Sequence, residues 1–177
     1  METGAKVAIV SPSWGGPARY PMCTSAAWRN SVRILRYLDN DVIRANPKLY
    51  MGFSDSTCIT TYLNQLGMVS FNGPSVMAGF SQLSALGDSY RRYLAEYLFN
   101  GSPGIELPYF DFYCEGYPEW GDPENTGRTN PFHPAGRRRC LQGTQPARGR
   151  LFGGCLEVLE MMKATDFWPS SDFWDGR

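Results

Sequence analysis

The chain has 177 residues, of which 42% are hydrophobic and 19% charged, a globular composition with enough apolar material for one ordinary domain and its core. Its 17 basic and 17 acidic side chains cancel, so no net field draws it to nucleic acid or to an anionic membrane surface. Five cysteines, widely spaced and without a CxxC pair, stand beside a single histidine, which argues against a zinc site and for reduced, mostly buried thiols.

The first element is the apolar run "KVAIVSP" (Lys6 to Pro12), a strand pattern stopped by proline. It is too short for a signal peptide or a membrane span, so the expected location is the cytoplasm. "SWGGPARYP" is turn chemistry. From Ser31, "SVRILRYLDNDVIRANP" spaces Val32, Leu35, Leu38 and Val42 as one helix that Pro47 closes. "KLYMGF" (Lys48 to Phe53) is the second strand. "DSTCITTYLNQLG" is a helix with Asp55 or Ser56 able to cap it and Gly67 placed just past its end. "MVSFNGP" is a third short strand, and Gly87 to Gly101 a further helix with Asp88 or Ser89 as cap. Alternating strands and helices predict an α/β layer fold around a parallel sheet.

Residues 102–147 are rich in Pro, Gly, Tyr and Asn and carry little periodicity, so they are expected to form loop. Arg137-Arg138-Arg139 lies there and is expected to be a solvated cluster. "RLFGG" then reads as strand and turn, and Cys155 to Ala164 as a helix that Pro169 excludes. The last residues, "SSDFWDGR", complete no element. The expected organisation is a nucleophile-bearing α/β domain over 1–104, a linker over 105–147, and the start of a second domain over 148–177.

The chemistry centres on "GFSDS". A serine at the carboxyl end of a parallel strand, opening a helix, projects its hydroxyl into the crevice where α/β enzymes bind ligands. The first turn of that helix offers backbone N–H groups to a developing oxyanion. This is the logic of a nucleophile elbow, although the residues are not GxSxG. Helix capping is the alternative role for Ser54. As a nucleophile it requires a base. His133, in "NPFHPAG", sits in a proline-flanked loop. Lys163 is conceivable, whereas Lys48 opens the strand that ends at Ser54, about 20 Å away at the rise of an extended chain.

At these residues the sequence resembles the LD-carboxypeptidase serine peptidases, on the side of their microcin C self-immunity branch. The resemblance rests on "NPKLYMGFSDSTCITTYLNQLGMVSFNGPSVMAGF", with "VAIVSPSWGGPA", "SVRILRYLDNDVIRANPK" and "LQGTQPARGRLFGGCLEVLEMMKATDFWP" in the same order. It implies a flavodoxin-like layered N-terminal domain followed by an incomplete second domain. It also implies a cytosolic serine hydrolase without metal or cofactor, commonly a homodimer. The implied substrates are small: murein-type LD-peptides, or peptidyl and aminoacyl nucleotides. Ser54 becomes the nucleophile and the backbone N–H of Asp55 an oxyanion donor.

Relative to the family pattern the chain is shortened near residues 21–30, where Ala27 and Trp28 stand in place of a Gly-Gly-Asp loop. The family's catalytic glutamate and histidine are expected beyond the "TDFWP" block; Glu157 and Glu160 belong to the preceding helix and do not correspond to that glutamate. Cys140 stands before "LQG" where the branch carries an aromatic residue. The expectation is therefore an inactive fragment of such a hydrolase. The alternative is a non-catalytic homologue serving as a binding or dimerisation module.

Overall fold

A computed structural model describes residues 31–76, 78–100, 104–143, 148–149 and 151–175. The expected strand Lys6–Pro12, the shortened stretch near 21–30 and Cys23 lie outside the described residues. In chain order the helices and strands are α1 (Ser31–Ile34), α2 (Asn40–Ala45), β1 (Met51–Gly52), α3 (Thr57–Gln65), β2 (Phe71–Asn72), α4 (Leu83–Ala95), β3 (Phe112–Cys114), β4 (Phe132–Pro134), α5 (Leu156–Lys163) and α6 (Ser171–Trp174). Short 3-10 turns follow α1 (Leu35–Tyr37), precede α3 (Ser54–Ser56) and cover Pro123–Asn125, while a π turn, Glu96–Asn100, extends α4.

Contacts divide the chain into two compact units. One gathers described residues of 31–75 with those of 151–175, and the other holds those of 76–149. The α5 segment packs with the strand-and-helix segment that carries Ser54.

In the first unit, β1 and β2 pair in parallel, Met51 opposite Phe71 and Gly52 opposite Asn72. The Phe71 N–H donates to the Tyr50 carbonyl at 2.9 Å, and Gly73 N–H to the Gly52 carbonyl at 3.1 Å. With α3 between them the strands form the β-α-β unit that the alternation predicts. The second strand is shorter than "KLYMGF" suggests. Gly67 ends α3 at φ 81°, donating to the Asn64 carbonyl while Met68 N–H donates to Leu63, the paired bonds of a Schellman stop.

The core of this unit is Leu35, Cys58, Ile59, Leu63, Val158 and Met162. Burying one such side chain is worth about 1.5–3 kcal/mol, so these residues outweigh any single turn or cap. Helix α3 also buries Thr57, Thr60 and Thr61, a polar load that a helix tolerates only with bonded hydroxyls. Thr60 donates back to the Thr57 carbonyl at 3.0 Å, and the Thr60 carbonyl accepts from Ser70 Oγ. Gln65 Nε2 donates to the Phe167 carbonyl at 2.9 Å and ties the end of α3 to the segment after α5.

Several expectations are corrected. The single helix from Ser31 is two, because the Asp39 carboxylate accepts from the Asp41 and Val42 N–H groups and starts a new helix. Val42 is consequently exposed rather than core. Ser56 occupies the capping position of α3 without a side-chain capping bond. Leu151 and Phe152 form no strand, and the closing residues do form an element, α6, whose Phe173 and Trp174 rings meet Phe152.

In the second unit, α4 starts before the expected Gly87. That glycine, at φ 84°, breaks the helical path inside it, and the stretch from Asp88 is the helix read from sequence. The stretch expected to be loop contains an antiparallel hairpin, β3 with β4, with Tyr113 opposite His133. Its aromatic side chains are exposed, so the strands lack the alternation that marks a half-buried strand. Arg138 is not simply solvated. It donates to the carbonyls of Leu107 and Pro108 and lies over the Tyr109 ring, 4.8 Å from the centroid. Of the described cysteines only Cys58 is buried, so the expectation of mostly buried thiols does not hold for them.

Candidate active site: the turn at Ser54

Sheet pairing ends at Gly52, and Phe53 continues extended at φ −144° and ψ 179°. Ser54 then turns sharply into a left-handed conformation, φ 53°, the only positive φ among the described non-glycine residues. For an L-residue this costs about 1–2 kcal/mol, so the surrounding structure has to hold it. The chain closes the 3-10 turn with Ser56 N–H donating to the Phe53 carbonyl at 3.1 Å and Thr57 N–H to the Ser54 carbonyl. Ser54 stands exposed at the carboxyl end of β1 and at the start of α3.

The neighbours two residues either side make the turn sterically feasible. A Cβ at Gly52 would lie 2.4 Å from the Ser56 Cβ and 2.8 Å from its Oγ. Only glycine fits at position 52, and a small residue is needed at 56. That is the requirement met by the outer glycines of GxSxG. "GFSDS" thus builds the strand–turn–helix elbow with serine in place of the last glycine. Reading the motif letter by letter missed this role for Gly52 and Ser56; small residues at both positions were the available signal.

Burial raises the Tyr50 hydroxyl above the ordinary tyrosine value, the Ser56 side chain lowers it in part, and neighbouring Cys58 raises it further. Asp55 is half-buried in the turn, and its carbonyl accepts from Cys58 Sγ at 3.2 Å.

His133, the chain's only histidine, is exposed on β4 with its ring 5.6 Å from that of Tyr113, in the unit that does not contain Ser54. Lys48 is exposed ahead of β1. Lys163 pairs with Glu160 at 2.5 Å on the surface of α5. Glu157 accepts from Cys155 Sγ at 3.1 Å, which holds its carboxyl below the usual range and pushes the thiol, already raised by desolvation, up. Cys140 is exposed, directed at the carbonyls of Gln142 and Gly143. Among the described residues no group of three or more His, Cys, Asp or Glu could hold a metal ion. None of their helices is long and apolar enough to cross a membrane.

Residues 29–73, which contain this elbow, match the LD-carboxypeptidase N-terminal domain family. The chain is 28% identical over 146 residues to the microcin C7 self-immunity protein MccF of Escherichia coli, covering 79% of this chain and 40% of that protein. It is 26% identical over 159 residues to YocD of Bacillus subtilis (strain 168), covering 88% of this chain and 46% of that protein. The chain therefore spans less than half the length of these relatives. Among solved structures it resembles MccF in complex with aspartyl sulfamoyl adenosine, with a TM-score of 0.64 at 25% identity, covering 80% of this chain and 42% of that one. MccF with glutamyl sulfamoyl guanosine superposes equally well, with the same TM-score at 24% identity and the same coverage. Family match, relatives and fold coincide on the segment that carries Ser54, and over that segment the chain is similar to the LD-carboxypeptidase and MccF-like proteins.

Proposed function

We propose that this chain carries the nucleophile portion of a serine hydrolase that cleaves an amide beside a terminal group, with Ser54 as the attacking residue. The observation that carries this reading is the left-handed turn of Ser54 between β1 and α3, an exposed hydroxyl on a strained joint. Ser54 Oγ adds to the amide carbonyl carbon and its proton passes to a base. The carbonyl oxygen takes the negative charge, which the backbone N–H of Asp55 stabilises. Collapse expels the amine, protonated by that base, and water then releases the acyl group from Ser54. The similarity to MccF bound to aspartyl sulfamoyl adenosine supports an aminoacyl or peptidyl nucleotide as the substrate class.

No residue in the unit that bears Ser54 is assigned as its base, and loss of a triad base costs about 10⁶-fold in comparable enzymes, so turnover is expected to be very low. The test is twofold. A fluorophosphonate probe at high concentration and long exposure is expected to label the chain slowly, at Ser54, because the turn presents the hydroxyl even without a base to activate it; mass spectrometry reads the adduct, which Ser54→Ala should lack. Aspartyl sulfamoyl adenosine is expected to be hydrolysed barely above background. Failure to label Ser54 overturns the nucleophile assignment, and rapid hydrolysis lost in Ser54→Ala overturns the expected inertness.

The exposed Phe112, Tyr113 and Phe132 of the hairpin favour a second reading, a non-catalytic binding or homodimerisation module. Sedimentation showing a dimer that Phe112→Ser with Phe132→Ser dissociates supports it; a monomer at high concentration counts against it.

A further inference from the structure

The strained turn has a support that comes from far along the chain. Thr57, three residues after Ser54 and the first residue of α3, is buried with a relative exposure of 1%. Its Oγ1 accepts the backbone N–H of Cys155 at 2.9 Å, a bond between residues 98 apart in sequence. The residue before Cys155 fits around the same side chain. A Cβ at Gly154 would lie 2.5 Å from both Thr57 Cγ2 and Thr57 Oγ1, and Gly154 has φ 144°, a conformation that side chains rarely adopt.

Two independent features therefore converge on one threonine: an acceptor for a backbone donor at the start of α5, and a glycine whose missing side chain makes room for it. The Gly154-Cys155 backbone braces the turn from the helix side. A positive φ at a serine persists only when its surroundings determine it, and the first residue of α3 is where displacement of the helix would reach Ser54.

We infer that Thr57 is a positioning residue: gripped by Gly154 and Cys155, it holds α3 in the place that keeps Ser54 left-handed and its hydroxyl presented. This rests on the nucleophile reading for its consequence in reactivity, but the conformational claim stands apart from it. Thr57 touches no reacting atom in this account. The hydroxyl, not the bulk, is the required feature, since its oxygen satisfies the Cys155 backbone N–H.

The test compares Thr57→Val, which keeps the shape and loses the acceptor, with Thr57→Ser, which keeps the acceptor. In the full chain labelled with carbon-13 serine, the Ser54 Cα and Cβ shifts report its backbone conformation. They are expected to be left-handed in the wild type and in Thr57→Ser, and averaged towards ordinary values in Thr57→Val. Fluorophosphonate labelling of Ser54 is expected to slow about tenfold in Thr57→Val, the effect of one lost hydrogen bond, and to recover in Thr57→Ser. Gly154→Ala is expected to act like Thr57→Val.

Unchanged Ser54 shifts in a folded Thr57→Val overturn the inference. So does an equal loss in Thr57→Ser. Should Thr57→Val not fold, the wild type decides: an ordinary Ser54 shift, or a Cys155 amide that exchanges as fast as an open loop, overturns the clamp. A wild type with left-handed Ser54 shifts and no labelling refutes the nucleophile reading alone and leaves the clamp standing.

Discussion

Gly52 and Ser56 meet across the Ser54 turn so closely that a Cβ on the glycine would stand 2.4 Å from the Cβ of the serine. Real Cβ contacts do not come this near, so the two positions are coupled. Gly52→Ala is expected to destabilise the unit by about 1–3 kcal/mol, the usual cost of overpacking. It should also displace Ser54. Chemical denaturation measures the first effect and fluorophosphonate labelling the second; a neutral Gly52→Ala would show that the elbow is not tight in solution.

Ser54 carries its own strain, which separates stability from reactivity. Ser54→Ala keeps a side chain at positive φ, whereas Ser54→Gly relieves it. The glycine variant is expected to be about 1 kcal/mol more stable than the alanine variant, even after its larger unfolded-state entropy. Both should be unreactive. Thermal denaturation of the pair checks this, and equal midpoints would place Ser54 in an ordinary conformation.

Gly67 allows a cleaner backbone measurement, because a Cβ there would meet nothing within 4 Å. Any loss on Gly67→Ala comes from the left-handed φ of 81° alone. The expected destabilisation is about 1 kcal/mol with no effect on Ser54 labelling. A loss several times larger would mean the stop also positions β2.

Tyr50 makes stability depend on alkaline pH. Burial raises its folded-state value above that of the unfolded chain, so the native state keeps a proton that the unfolded state releases. Stability from this group is full below the unfolded tyrosine value near 10 and is lost as pH rises from there through the higher folded value. Tyr50→Phe is expected to flatten that decline, leaving the part due to Tyr90 and Tyr93, whose values burial also raises. Urea midpoints from pH 8 to 11 give the comparison, and identical slopes would contradict it.

Met162 and Val158 are fully buried against α3 although they lie about a hundred residues on. Met162→Ala is expected to cost about 2–5 kcal/mol, as large-to-small core changes do. A cost under 1 kcal/mol, read by denaturant titration, would show that α5 does not share a core with the elbow.

Local sequence determined the elements whose signals are local. The apolar run before Gly52, the serine after it, the helical spacing to Leu66 and the stop at Gly67 predict a strand, a joint and a helix, and each is present. The parallel pairing of β1 with β2 follows from the same alternation, because a helical crossover joins parallel strands. The joint was legible as a position, Ser54, and the chemistry proposed for it as a resemblance.

Tertiary structure decided what depends on partners distant in sequence. Asp39 splits the first helix by capping a second, which apolar spacing alone does not announce. The hairpin of Phe112 and Phe132 emerges from a stretch without periodicity, since both its faces carry exposed aromatic residues and only cross-strand pairing defines it. The grip of Gly154 and Cys155 on Thr57 spans 98 residues, and no local pattern encodes a contact at that separation. The residues near Ser54 specify a turn, and the packing of a remote glycine and backbone donor against Thr57 decides how firmly that turn is held.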